Sequence, residues 1–215
     1  MITPEAFALG ITTYVVLLFS LSVHESAHGY MAYRMGDDTA RLQGRVDLNP
    51  LVHIDPVGTV LIPLLQIFWG GVPLLGWAKP TPVGAHNFRR LARGHVLVAG
   101  AGPASNLLLA ILFTLALFVA RRAGLIEGGR DVLFVVLAVG IQMNVALALF
   151  NLIPVPPLDG SWIASWGLPR PIADRYDRLV EPFGQWLLLA LFMPIGWVLR
   201  PIQVSLTSLI FRMVY

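Results

Sequence analysis

The stretch Phe19-Ser20-Leu21-Ser22-Val23-His24-Glu25-Ser26-Ala27-His28-Gly29 decides how this chain is read. It sets two imidazoles and a carboxylate, in the order His-Glu-x-x-His, at the end of an apolar run that carries no charge from Ala6 to Val23. Residues four apart on a helix share a face, so His24 and His28 can grip one ion. Glu25 is rotated by about 100° around the axis and can address a water at that ion without being a ligand. An ionisable group at the centre of a spanning helix costs about 2.5–3.5 kcal/mol on insertion scales. Three together therefore imply a function: a metal centre, zinc by ligand type, with Glu25 as general base.

The surrounding composition names the solvent. The 215 residues are 56% hydrophobic and 13% charged, with a mean hydropathy of +0.72, whereas soluble domains carry about 25% charged residues. This predicts a polytopic membrane protein. The net charge of +3 lies in loops beside apolar runs, which speaks for membrane topology and against a nucleic-acid partner. There is no cysteine, so disulfides and thiolate ligands are excluded and a metal must be held by His, Asp or Glu. Met1-Ile2-Thr3-Pro4-Glu5 lacks the basic start of a cleavable signal, and the first apolar run reads as an uncleaved anchor.

Residues 5–34 are predicted as one helix, capped by Thr3, opened by Pro4 and Glu5 and stopped at Gly36. At about 45 Å it is long enough to cross and emerge. Residues 37–55 read as a polar loop with short extended pieces. Residues 57–77 are apolar but punctuated by Pro63, Gly70, Gly71 and Pro73, and either span or enter and return. A basic loop, 78–94, leads to spanning helices at 95–120 and 132–152, joined by the short turn 121–131. Small residues at Gly100–Ser105 favour close helix packing. Pro154, Pro156 and Pro157 break the second of these helices, and 161–182 is mixed. A last span is expected at 183–199, followed by an apolar tail, 201–215, lying on the bilayer. The fold class is all-α: about four to six transmembrane helices around a membrane-embedded zinc site, with a re-entrant segment and short extended pieces within 37–77. One domain, 1–215, is expected, with a core at 5–168 and accessory C-terminal helices at 180–215.

A catalytic zinc usually has three protein ligands and one open position. Asp159, just past the proline-broken helix end, is the best third ligand the chain offers; the competing role is a helix N-cap.

Three motifs now stand in order: Phe19-x-x-x-Val23-His24-Glu25-x-x-His28, Gly102-Pro103-x-x-Asn106, and Asn151-Leu152-Ile153-Pro154-Val155-Pro156-Pro157-Leu158-Asp159-Gly160. Together they resemble the site-2 protease family of intramembrane zinc metalloproteases, in its compact bacterial and archaeal branch without PDZ or nucleotide-sensing domains. The resemblance covers about residues 10–165. It implies cleavage of peptide bonds in or near transmembrane segments of other membrane proteins, in a prokaryotic cell membrane. It also implies one zinc ion held by His24, His28 and Asp159, with Glu25 as base. It matches Asn151 to a contact with the substrate backbone. Asn106 corresponds to the family's G-P-x-x-N asparagine, with a substrate contact and a polar clamp between helices as its two readings. A metal-binding membrane transporter or sensor, or a non-catalytic scaffold, is the alternative class; a transporter would tolerate Glu25→Gln.

If Asp159 is to meet His24 and His28, the chain must cross the membrane an even number of times between residues 34 and 153. The helices at 95–120 and 132–152 supply two crossings, so 57–77 should return. Arg34, Arg41, Arg45, Lys79, Arg89, Arg90, Arg93, Arg170, Arg175 and Arg178 then share one side, with Arg121, Arg122 and Arg130 opposite. The positive-inside rule places the site towards the cytoplasm. His53 and Asp55 could bind substrate or a second ion, but solvation is the commoner role. His86 and His95 read as surface or interfacial, and Trp69, Trp77, Trp162, Trp166 and Trp197 as markers of the membrane interfaces. The sequence fixes no oligomeric state.

Overall fold

The computed structural model describes residues 3–69, 76–129 and 131–214, without the side chains of 189, 191–199, 213 and 214. Gly70, Gly71, Pro73 and Arg130, and the side chain of Trp197, lie outside the described part.

Helix α1 (Pro4–Met35) starts where Thr3 Oγ1 accepts the Ala6 N–H at 3.2 Å. It ends at Gly36, whose φ of 113° suits only glycine without strain and turns its N–H back to the carbonyls of Ala32 and Tyr33. Helix α4 (Leu91–Arg122) contains Pro103, which a membrane helix tolerates when neighbouring helices cover the interrupted ladder. Helix α5 is Val132–Asn151. These are the three helices, among the described residues, long and apolar enough to cross a membrane. Helix α4 is the central one, packed on α5, α1 and α6. At its contact with α5, a Cβ on Gly140 would lie 2.7 Å from the ring of Phe113.

Val15, Leu108 and Ile111 are 59%, 57% and 63% exposed, while Ser20, Asn106 and Asn144 are completely buried. A bundle with apolar groups outside and amides inside is suited to lipid, not water. The protein is an all-α polytopic membrane protein.

Between α1 and α4 the chain folds a layer of short pieces: α2 (Thr39–Leu42), a 3-10 turn at Pro50–His53, a π-type turn at Pro56–Leu61 running into α3 (Ile62–Trp69), and a 3-10 turn at Ala85–Asn87. No strand forms among the described residues. The extended pieces expected in 37–55 are turns, because the short acidic and amide side chains bond their own backbone. Asp37 accepts from the N–H and hydroxyl of Thr39, and Asn49 accepts from the Leu51 N–H. Non-helical backbone appears instead at 76–84.

The apolar segment returns. Pro56–Trp69 rises by about 21 Å, short of the roughly 30 Å of a hydrocarbon core. The Trp77 N–H then donates to Gly58 O at 3.2 Å. The indole of Trp77 lies 2.4 Å from where a Gly58 Cβ would stand, so only glycine admits this closure.

After α5 come α6 (Asp159–Gly167), α7 (Arg170–Val180), a 3-10 turn at Glu181–Phe183 and α8 (Gly184–Val214). The expected break between a last span and a surface tail is absent: α8 runs through Pro201 as one helix. Its Ile210 and Phe211 pack on the cluster of Leu117 and Ile141, which anchors the tail to α4 and α5.

Candidate metal centre

His24 and His28 lie one turn apart on α1, both buried, with their rings 4.6 Å apart edge to face. Their Nε2 atoms stand 3.0 Å from each other. Asp159, the first residue of α6, places Oδ2 3.3 Å from His24 Nε2 and Oδ1 3.4 Å from His28 Nε2. Neighbouring ligands of a tetrahedral ion with bonds of about 2.0–2.1 Å are about 3.3–3.4 Å apart. The three residues that the sequence singled out from positions 24 to 159 therefore converge with the spacing of one coordination shell.

The hydrogen bonds fix which nitrogens carry protons. His28 Nδ1 lies 2.7 Å from the Val98 carbonyl, which can only accept, so that nitrogen is the donor. The His24 case follows from a longer chain. Asn144 Nδ2 donates to Gly140 O at 2.9 Å and to Ser20 Oγ at 2.9 Å. The other end of that amide, Asn144 Oδ1, accepts from Asn106 Nδ2 at 2.9 Å. Asn106 Oδ1 is thereby turned to His24 Nδ1, 2.7 Å away, and accepts its proton. A neutral ring held this way presents its Nε2 lone pair to the other ring and to a carboxylate. Such a cluster is repulsive unless a positive centre lies among its atoms, and Asp159 Oδ2 is buried with no hydrogen-bond donor. The donor set, its spacing and its tautomers fit zinc.

Two glycines let the walls come this close. A Cβ at Gly102 would lie 2.5 Å from His24 Cε1 and from His28 Nε2. One at Gly160 would lie 2.4 Å from Leu152 O, inside the turn that presents Asp159. The Gly-Pro and Asp-Gly pairs of the sequence motifs thus have a steric cause.

Glu25 faces another wall. Ligand-capable atoms of His24, Glu25 and His28 all lie within 4.8 Å of one another. Glu25 Oε2, however, accepts the Thr81 N–H at 2.8 Å, and Thr81 Oγ1 donates to the Glu25 carbonyl at 2.9 Å. With one oxygen so engaged, Glu25 is less suited than Asp159 to complete the shell and better suited to meet a water beside it.

The other sequence candidates fall in different places. Asn106 is fully buried and both ends of its amide are committed, so it stands behind His24 as a clamp from α4 to α1 and α5. Asn151, the last residue of α5, is half-buried and donates to Leu147 O at 3.0 Å. His53 is buried and its Nε2 contacts Asp47 O at 2.8 Å and Ser26 Oγ at 3.3 Å. Asp55 caps the π-type turn through the Val57 and Gly58 N–H groups. His86 is exposed. His95 stacks on Trp162 and Trp166, centroids 5.3 and 4.3 Å away, and so ties α6 to α4. Sequence reasoning missed Asn144, Ser20, Thr81 and Arg45. Asn144 was visible as a polar interruption of an apolar helix; the others carried no signal of their own.

A family model described as "Peptidase family M50" matches residues 129–191. The chain is 40% identical over 204 residues to "Putative zinc metalloprotease YwhC" of Bacillus subtilis, covering 91% of this chain and 88% of that protein. It is 32% identical over 194 residues to "Putative zinc metalloprotease Rip2" of Mycobacterium tuberculosis H37Rv, covering 89% and 71%. A Mycolicibacterium smegmatis protein of the same name is 32% identical over 174 residues, covering 79% and 60%. No solved structure matches the chain at a significant level.

Proposed function

This chain belongs to peptidase family M50 and is a zinc metallopeptidase of the site-2 protease type, and from that premise we propose that it hydrolyses peptide bonds in or near the transmembrane segments of other membrane proteins. His24, His28 and Asp159 hold the ion and Glu25 is the general base. The observation that carries this reading is the convergence of the two Nε2 atoms and the Asp159 carboxylate at 3.0–3.4 Å inside a bundle of apolar helices.

Zinc, when bound, supplies Lewis acidity towards water and towards the carbonyl to be cleaved. The rest is done by the chain. Val98 O and Asn106 Oδ1 keep both Nε2 lone pairs turned inward. Glu25 takes the proton of the attacking water and can return it to the leaving amine. The apolar outer faces of α1, α4 and α5 restrict entry to polypeptide that is itself in the bilayer. Asn151, at the mouth of the turn that bears Asp159, bonds the backbone of the unwound substrate. The whole acts as one intramembrane domain, 1–215, with its core at 5–168.

The return of Pro56–Trp69 leaves α4 and α5 as the two crossings between the histidines and Asp159. The arginine-rich loops then lie on the side of the site, which the positive-inside rule assigns to the cytoplasm of a prokaryotic cell. Single cysteines introduced at 78–94 into this cysteine-free chain are expected to resist an impermeant external thiol reagent; labelling there would reverse the orientation.

The function is tested by co-expression with tagged single-span membrane proteins. Wild type is expected to release a shortened product, and Glu25→Gln to lose about 10²–10⁴-fold of the rate while retaining zinc. Equal cleavage by Glu25→Gln would contradict the reading.

A further inference from the structure

We propose that Thr81 is a positioning residue for Glu25, and that the strap Trp77-Ala78-Lys79-Pro80-Thr81-Pro82-Val83 exists to hold it there. The inference rests on the assignment of Glu25 as base. The centre of the strap, Pro80–Pro82, holds a single backbone donor. Pro80 and Pro82 carry no N–H, and each biases the residue before it, Lys79 and Thr81, towards extended backbone. The one N–H left between them, that of Thr81, points at Glu25 Oε2, 2.8 Å away. The Thr81 hydroxyl grips the carbonyl of the same residue at 2.9 Å.

Thr81 lies 56 positions from Glu25 in the chain, and the strap is pinned at every other step. The Trp77 N–H donates to Gly58 O at 3.2 Å, and the Lys79 N–H to His53 O at 2.9 Å. Ala78 is buried against Leu17 and Leu21 of α1. Arg45 completes the fixing. Its guanidinium is buried, and Nη2 donates to Lys79 O at 2.5 Å and to Pro80 O at 3.2 Å, while Nη1 donates to Val52 O at 2.5 Å. Both Nη atoms of this buried cation bond backbone carbonyls, and it makes no ion pair among the described residues; it fixes the segment between them. The result is a carboxylate with one oxygen anchored and the other left for the water. Misplacement of a reacting group by 1 Å costs about 10²-fold in rate, so an anchor on a flexible glutamate bears on turnover.

Two measurements test this. The first needs no substrate. Hydrogen exchange at the Thr81 amide, isolated between two prolines, is expected to speed up at least about tenfold in Glu25→Ala, because its acceptor is gone. Unchanged exchange would overturn the contact. The second uses the single-span protein cleaved in the co-expression assay, purified. Thr81→Pro deletes the N–H and Arg45→Gln releases the strap without touching Thr81. Both are expected to lower kcat about 10–100-fold with KM within about threefold, with zinc retained and full activity for Thr81→Ser. A kcat within twofold of wild type in both variants, or a kcat above it, would overturn the proposal; the second outcome would make the strap a block and not a support. Glu25→Gln that cleaves normally defeats the assignment of the base instead, so the two failures are distinct.

Discussion

Behind His24 and His28 the site is walled by membrane helices; in front of Glu25 it is walled by the folded-back segment between α1 and α4. The two walls work by different means. The helical wall is short-range and rigid: Gly102 brings α4 against the rings, and an amide ladder from Ser20 through Asn144 and Asn106 sets the His24 tautomer. The loop wall is assembled from distant pieces, His53, Gly58, Asp37 and Arg45, that bond the backbone of 76–84. On the proposed reading, the first prepares the ligands and the second places the base. Damage to the helical wall should therefore appear as lost metal, and damage to the loop wall as lost turnover or local unfolding with the metal in place.

The largest effect is expected at Gly102. Gly102→Val drives methyl groups into the space of His24 and His28, and should abolish zinc retention and lower cleavage by at least about 10²-fold. Zinc retained at wild-type stoichiometry would mean the helical wall is softer than it looks. Asn106→Leu removes the acceptor for His24 Nδ1, and zinc affinity by competitive chelation should fall about 10–100-fold. An unchanged affinity would disconnect the amide ladder from the metal.

Asp37 tests the other wall. Burial alone would push its carboxyl up, but bonds from Thr39, Asn87 and Gly84 hold it below the usual carboxylate range. A native value below the unfolded one means that the stabilisation is complete above the unfolded value. It is lost as pH falls through the usual carboxylate range towards the native value. Proteolysis of the segment 37–90 should accelerate over that acid window in wild type. In Asp37→Asn the segment should be less stable at neutral pH by about 1–3 kcal/mol and should lose that acid dependence. An unchanged acid profile in Asp37→Asn would assign the dependence elsewhere. The smallest effect belongs to the exposed Arg41–Asp38 pair, 2.8 Å apart: Arg41→Ala should change stability by less than about 1 kcal/mol in a thermal melt.

The same contrast explains what was legible in the sequence. The helical wall could be read because helix periodicity puts residues 24 and 28 on one face, and because amides in apolar helices stand out. The return of 57–77 could be argued from its prolines and from the need to bring Asp159 to the histidines. Pro201 suggests a helix end, but α8 continues through it, and what holds the following turns is the packing of Ile210 and Phe211 on Leu117 and Ile141, contacts the sequence does not announce. Asn106 was assigned a choice of roles, because which amide end faces which helix depends on three helices at once. The loop wall was nearly silent. Thr81 and Arg45 are ordinary residues in a polar stretch, and their contacts arise only when the chain closes on itself over tens of residues.

The central claim is that His24, His28 and Asp159 form one zinc shell. The most direct measurement is zinc per chain in purified wild type and Asp159→Ala, with zinc K-edge absorption on the wild type. The account predicts about one zinc per chain, imidazole and carboxylate scatterers at about 2.0–2.1 Å, and a marked loss of metal in Asp159→Ala. Undiminished zinc in that variant, or a zinc spectrum without imidazole, would contradict it.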